Sequence, residues 1–281
     1  MQDTDLLAFE DRSRRVVADA AMLADAWRVA GRWSDALTLL AGIEPLVHGL
    51  PAAEQALHAL TTARVLTDQA GFSGVDTWTR RSSCLDAALT WAQQTENSAL
   101  LGAVWNARGM SLHQRFLDTG QTTEPPEELP SFEQALGFYQ ATNDRRGIAQ
   151  SLFHLGLLHG IVRRDHAQAL PFLQQAYTLA RALPDPILSS YAIRHIGFAQ
   201  YDAHDLTAAR ASLLESLHLR EQAGFVPGVA MAWVMLAHAD AELGQRDLAR
   251  AHLQHARTIF QSLHADPKVA WVDQLLRDFE T

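Results

Sequence analysis

The chain holds a single cysteine, Cys84, in 281 residues, so no intramolecular disulfide can form and the fold needs no oxidising compartment. Long apolar runs are missing too: nothing approaches the roughly 18 consecutive apolar residues of a membrane span. The opening MQDTDLLAFEDRSRR has neither the basic start nor the apolar core of a signal peptide, so the cytoplasm is the expected location. Lysine is almost absent, with Lys268 alone beside 22 arginines, which together with the abundant alanine reads as genome composition. Positive charge is in deficit overall, 23 basic against 32 acidic residues. The net charge of -9 opposes binding to nucleic acid or to an anionic membrane. The arginine pairs at 14–15, 80–81, 145–146 and 163–164 have no interleaved aromatics and read as solvated turns and helix ends.

Chemical motifs are lacking as well. There is no G-x-S-x-G, P-loop, G-x-G-x-x-G, H-E-x-x-H or paired-cysteine metal spacing, so neither an enzyme nor a cofactor is expected. Among 13 histidines the best local pair is His252 with His255, three apart on one helix face. No third ligand stands at a supporting spacing, so they read as surface histidines and no metal is expected. His154 and His159, five apart, point in different directions around a helix. Cys84 follows Arg80 and Arg81 closely and could have a lowered pKa, but a small buried side chain is the preferred reading.

What the sequence has is repetition. Gly156, Gly197 and Ala237 lie 41 and 40 residues apart, and Ala169, Ala209 and Ala249 are each 40 apart. Four residues after each alanine stands a leucine (Leu173, Leu213, Leu253), and seven after it a small residue (Ala176, Ser216, Ala256). Such spacing places all three on one helical face. The unit is a two-helix hairpin, small where its backbones touch and bulky where the next hairpin packs, and it buries its apolar faces only by stacking on neighbours.

The order Leu152, Leu155, Gly156, then Ala169 with Leu173, and again Trp233, Leu236, Ala237, then Ala249 with Leu253, resembles the tetratricopeptide repeat (TPR). The family's tyrosine slot holds His159, Gln200 and Asp240 here, and the period exceeds the usual length of about 34. The longer period is similar to that of TPR arrays in bacterial regulators. The resemblance implies an all-α, right-handed superhelical solenoid of about six hairpins plus a C-terminal capping helix, one domain over 1–281.

The expected hairpins cover approximately 11–47, 51–95, 98–143, 146–183, 186–223 and 226–264, with the cap at 266–280. Pro45 and Pro51 bracket the exit of the first. The second has its small residue and its alanine unusually far apart, with the elbow GFSGVDT at 71–77 taking up part of the excess. Residues 117–131, proline-rich and acidic, read as a loop, either a lid or an insertion that the array tolerates. His204, Arg164, Gly31 and Gly244 occupy equivalent turn positions where a positive φ is expected. Pro171 implies a late or irregular start to its helix. Asp266 is the expected N-cap of the last helix, with Val269, Val272, Leu276 and Phe279 as its apolar stripe. No equally clear cap marks the N-terminus, which leaves room for an upstream domain.

In TPR arrays the first helix of each hairpin lines an inner groove. Projected onto this chain, the resemblance implies a wall containing Arg64, Asn106, His113, Phe153, Leu157, Arg194, Phe198, Tyr201 and His238. Such a wall suits a protein or peptide with an apolar body, and one carrying a carboxylate would be gripped by the arginine fork. The plainer alternative is that these polar groups are solvated and Arg194 pairs with Asp202. The functional expectation is a non-catalytic protein- or peptide-binding module, a homodimer being a further partner class. The alternative is a ligand- or peptide-sensing regulatory domain of a bacterial transcriptional or signalling protein.

Overall fold

The computed structural model describes residues 3–278, and side chains from 9 to 278. Among these, thirteen α-helices follow one another and no strand occurs. They are α1 (Asp3–Val29), α2 (Trp33–Val47), α3 (Ala52–Ser73), α4 (Trp78–Ala92), α5 (Ser98–Thr119), α6 (Glu128–Ala141), α7 (Arg145–Leu157), α8 (His166–Arg181), α9 (Pro186–Asp202), α10 (Leu206–Gln222), α11 (Val226–Glu242), α12 (Arg246–Ser262) and α13 (Asp266–Asp278). A five-residue π-helix, Leu158–Val162, extends α7. The array expected over 1–281 divides into two compact units, one comprising residues 1–71, 75–119 and 125–144, the other 72–74, 120–124 and 145–281. The three irregular hairpins fall mainly in the first and the three regular ones in the second.

In the second unit the repeat is physical. A Cβ added to Gly156 would lie 2.7 Å from Leu173 and 3.4 Å from the Ala169 carbonyl, and one on Gly197 would lie 3.3 Å from Leu213 and 3.4 Å from the Ala209 carbonyl. Ala237 is buried with Ala249 and Leu253 in the same arrangement. The small residue thus seats the leucine of the partner helix, and burying each such leucine contributes roughly 1.5–3 kcal/mol.

The joints repeat every half period. Helices α9, α10, α11 and α12 each have 17 residues, and three-residue joints separate them. His204, Gly224, Gly244 and His264 adopt φ of 60°, 64°, 77° and 52°. In each joint the next amide bonds back five residues, Asp205 to Gln200, Phe225 to Arg220, Gln245 to Asp240 and Ala265 to Phe260, which closes the carbonyl end of the helix. Asp165, Asp185 and Asp205 then cap the following helices, accepting from the amides of Gln168, Leu188 and Ala208. The joint at Pro184 has no left-handed residue because proline cannot adopt one.

The spacing of 41 rather than 40 between Gly156 and Gly197 has a structural cause. One surplus residue is absorbed by the π-helix, a one-residue widening of the α-helix, and the Asp165 amide reaches back six residues to His159 instead of five. Pro171 lies inside α8, which starts neither late nor irregularly; the irregularity sits upstream, in the π-turn.

The remaining boundaries differ in detail. Helix α1 begins at Asp3, well before residue 11, and Pro45 lies within the last turn of α2. The loop expected over 117–131 occupies 120–127, since α5 runs through Thr119 and α6 starts at Glu128. Its Glu124 accepts two hydrogen bonds from Arg163 at 2.7 and 2.9 Å. Ala56, Leu60 and Ala63 of α3 share one buried cluster with Leu85, Ala88 and Ala92 of α4 and Val104 of α5. Helix α13 opens on Asp266, which lies in its first turn, and Val272 is its fully buried residue. Phe279 and Glu280 lie outside the described residues. Of the paired arginines, Arg81 is not solvated but fully buried, with its guanidinium 5.4 Å from the Trp78 ring and 3.7 Å from Asp118.

In the third hairpin a Cβ on Gly109 would fall 2.3 Å from the buried Phe132 ring, whereas exposed Gly137 has nothing within 4 Å. Gly109→Ala is expected to lower stability by about 1–3 kcal/mol through overpacking. Gly137→Ala is expected to raise it by about 0.5–1 kcal/mol through reduced chain entropy. Urea titrations followed by circular dichroism read both.

Candidate functional site

The residues projected onto a first-helix wall divide by unit and by burial. In the first unit Arg64 is partly exposed, while Asn106 and His113 are only 1% and 2% exposed. His113 turns inward because Glu128, fully buried at the start of α6, meets its Nδ1 at 2.8 Å. Asn106 and His113 therefore present no side chain at a surface. A cleft of about 210 Å³ between α4 and α5 ends in Asp86, Arg108 and Glu127. Arg108 already bridges both carboxylates, at 2.8 and 3.2 Å, so the cleft offers no unbalanced charge.

In the second unit three of the projected residues, Phe153, Arg194 and Phe198, are brought together through Tyr191 and His195. Phe153 and Leu157 are buried, and Arg194, Phe198, Tyr201 and His238 are partly exposed. The Phe153 ring of α7 stacks on Tyr191 of α9 at 5.5 Å and meets His195 at the same distance. His195 packs edge-on to Phe198 at 4.9 Å. Arg194 lies over the rings of Tyr191 and Phe198, at 5.7 and 5.5 Å. It donates to His195 Nε2 at 2.9 Å, which requires the imidazole to be unprotonated at that nitrogen. Burial pushes the Tyr201 phenol pKa up, reinforced by the charge of Glu242 of α11 and by their shared hydrogen bond. An aromatic wall studded with one arginine thus runs from α7 to α9, with α11 at its edge.

Arg194 does not pair with Asp202, which instead lies 2.8 Å from His166. Its guanidinium is desolvated and its pKa held down, with only Tyr191 opposing the shift. Behind it, Arg220 of α10 is fully buried, between the rings of Tyr191 and Phe225 at 5.5 and 5.6 Å.

The projection from the first helices missed Tyr191, His195 and Arg220. A signal for Arg220 was present in the sequence: it stands 11 residues after Ala209, where Ala180 and Phe260 stand after Ala169 and Ala249. Those two are fully buried, so this is a core slot of the repeat. Its position in the last turn of α10 made it resemble an ordinary helix-end cation.

His252 is 8% exposed rather than a surface residue. It lies against the Trp233 ring at 4.7 Å and 2.8 Å from Asp240, a buried carboxylate whose other oxygen accepts from Arg210 at 2.5 Å. Asp240 is the carboxylate that sequence spacing did not reveal, because it comes from the neighbouring helix of the hairpin. Even so, no group of three metal-ligating side chains occurs among the described residues. Cys84 is partly buried against the α3–α5 core, and desolvation raises its pKa rather than lowering it. No helix among the described residues is long and apolar enough to cross a membrane.

The fold is a TPR-type helical repeat, an all-α stack of paired helices. Neither a family model nor a curated protein matches this chain. Solved structures do. A Rap protein complexed with competence and sporulation factor aligns over 95% of this chain and 71% of its own length, at 14% identity and a TM-score of 0.66. NprR in complex with its cognate peptide NprX covers 93% of this chain and 72% of its own, at 13% identity and a TM-score of 0.67. BtubC from P. vanneervenii covers 90% and 92%, at 14% and 0.54. At these identities the likeness is one of fold.

Burial lowers the pKa of His238 and His252 below the ordinary imidazole value, although Glu242 and Asp240 respectively pull it back up. As pH falls below about 6.5 the unfolded chain takes up these protons first. The stability contributed by the neutral imidazoles is therefore complete above that pH and is lost as pH drops through the folded-state values. Urea midpoints are expected to fall between about pH 7 and pH 5, and His238→Gln combined with His252→Gln should make that slope shallower.

Proposed function

We propose that the chain is a non-catalytic peptide-binding module of the long-period TPR variety, acting as the sensing part of a cytoplasmic regulator. The observation that carries this is the partly exposed wall of Arg194, Phe198, Tyr201 and His238 on α9 and α11, backed by the buried rings of Phe153 and His195. Aromatic side chains held on rigid helices give large contact area at small entropic cost, which is what an extended or helical peptide requires. Two solved structures of this fold contain bound peptide or factor, which supports the same use here. A carboxylate on the ligand is the matching chemistry for Arg194. A second copy of the chain is a further partner, supported by Phe9, Val16 and Leu23, exposed seven residues apart along α1.

Selection from a random peptide library on the immobilised full chain, followed by fluorescence anisotropy, tests the reading. Phe198→Ala and Tyr201→Ala are each expected to weaken the selected peptide by about tenfold or more while leaving helicity intact. Unchanged affinity in both variants would place the binding surface elsewhere.

A regulatory role is favoured by the π-helix at Leu158–Val162, since π-bulges concentrate at functional sites. Its own end is tied to the 120–124 segment by Arg163 and Glu124. A bound peptide that raises the melting temperature and shrinks the radius of gyration in scattering fits a sensor; a rigid array indifferent to ligand does not.

A further inference from the structure

The hairpin α9–α10 carries a polar inlay where its sister repeats are apolar. Ser190 stands where Ala149 and Ala230 stand, Ser216 where Ala176 and Ala256 stand, and Arg220 where Ala180 and Phe260 stand. All nine positions, Arg220 included, are buried at 0% exposure. Ser216 donates to the Ser190 carbonyl at 2.8 Å, and Arg220 donates to the Ser190 hydroxyl at 3.4 Å and to the Gly228 carbonyl at 2.6 Å. The Nη2 of Arg220 and the Nε of Arg194 are both buried without a hydrogen-bond acceptor.

No carboxylate balances either cation among the described residues. The groups acting on Arg194 are burial and Tyr191; those acting on Arg220 are burial, Arg194 and Tyr191. Arg220 in the core and Arg194 at the wall therefore share one tyrosine ring, and their guanidinium charges repel each other. A buried cation without a counter-ion is costly, and the sister repeats fill the same slot with apolar Ala180 and Phe260. A cost of this kind persists where it serves binding, because a ligand anion then supplies the missing charge.

We propose that Arg194, with Arg220 behind it, forms an anion subsite that takes a carboxylate of an acidic peptide. Arg194, partly exposed, makes the contact through its fork. Arg220 reinforces it from within as fixed positive charge, and the rings of Tyr191 and Phe198 bound the subsite. This rests on the peptide-binding reading and names the chemical group that the wall selects. It also explains how a chain of net charge -9 attracts an acidic ligand: the positive charge is local and uncompensated.

The test uses the full chain and sodium acetate against sodium chloride at equal ionic strength. In the wild type, acetate is expected to raise Tm in a saturable way. Arg194→Gln should abolish that response. Arg220→Met should also remove most of it while raising the baseline Tm by roughly 3–8 °C, because an uncompensated buried charge is gone. No acetate response in the wild type, or a full response in Arg220→Met, would overturn the proposal. So would a lowered Tm in Arg220→Met, which would assign this arginine to tethering the Gly228 carbonyl. A stronger response to inorganic phosphate than to acetate would reassign the subsite to phosphorylated ligands and equally sink the carboxylate assignment. A random peptide library separates this from the broader reading. Enriched peptides rich in aspartate or glutamate, or dependent on a free C-terminus, support the subsite. Enriched peptides indifferent to both leave peptide binding standing and overturn the carboxylate assignment.

Discussion

The contact on which the second unit depends is the seating of one leucine per hairpin over a small residue of the opposite helix. Leu173 rests on Gly156, Leu213 on Gly197 and Leu253 beside Ala237, each with an alanine of the second helix closing the approach. A larger side chain at the small position meets either the leucine or a backbone carbonyl. The hairpin therefore has one way to close, and stacking follows because each closed hairpin still has an apolar flank to bury. In the first unit the same role falls to Gly102 against Tyr139 and Gly109 against Phe132, with an aromatic ring in place of the leucine.

Regular joints make this contact repeatable. A left-handed residue ends one helix, the following residue turns back five, and an aspartate often caps the next helix. Because the length of helix plus joint is fixed at half a period, each leucine arrives in register with its small residue. Where one residue is surplus, after Gly156, the chain widens a turn into a π-helix and preserves the register of Ala169 and Leu173. The deformation is confined to Leu158–Val162, follows directly on Leu157, and contains His159, which stacks on Phe172 at 5.4 Å.

Against this economical core, the hairpin α9–α10 is costly. Its interior holds two serines and an arginine in slots that alanine and phenylalanine fill in the sister hairpins, and the arginine has a second cation for a neighbour. A scaffold built only for stability has no reason to carry them. The polar inlay lies directly behind the wall of Tyr191, Arg194 and Phe198, which couples the interior of one hairpin to the surface on which a ligand is proposed to dock.

Periodicity alone determined the helical class, the hairpin unit, the small-residue contacts of the second unit and the left-handed turns at His204 and Gly244, because these depend on spacings of four, seven and forty along one chain. The π-turn was legible in the step of 41, and Arg220 in its slot, had the buried stripe been followed one turn further. What tertiary structure decided was which side chains leave the surface. His113 is drawn in by Glu128, His252 by Asp240, and Arg81 faces Asp118, each across to a partner on another helix. Helical spacing fixes a residue's direction around its own axis, but burial depends on what the adjoining helix offers at that height, and only packing supplies that.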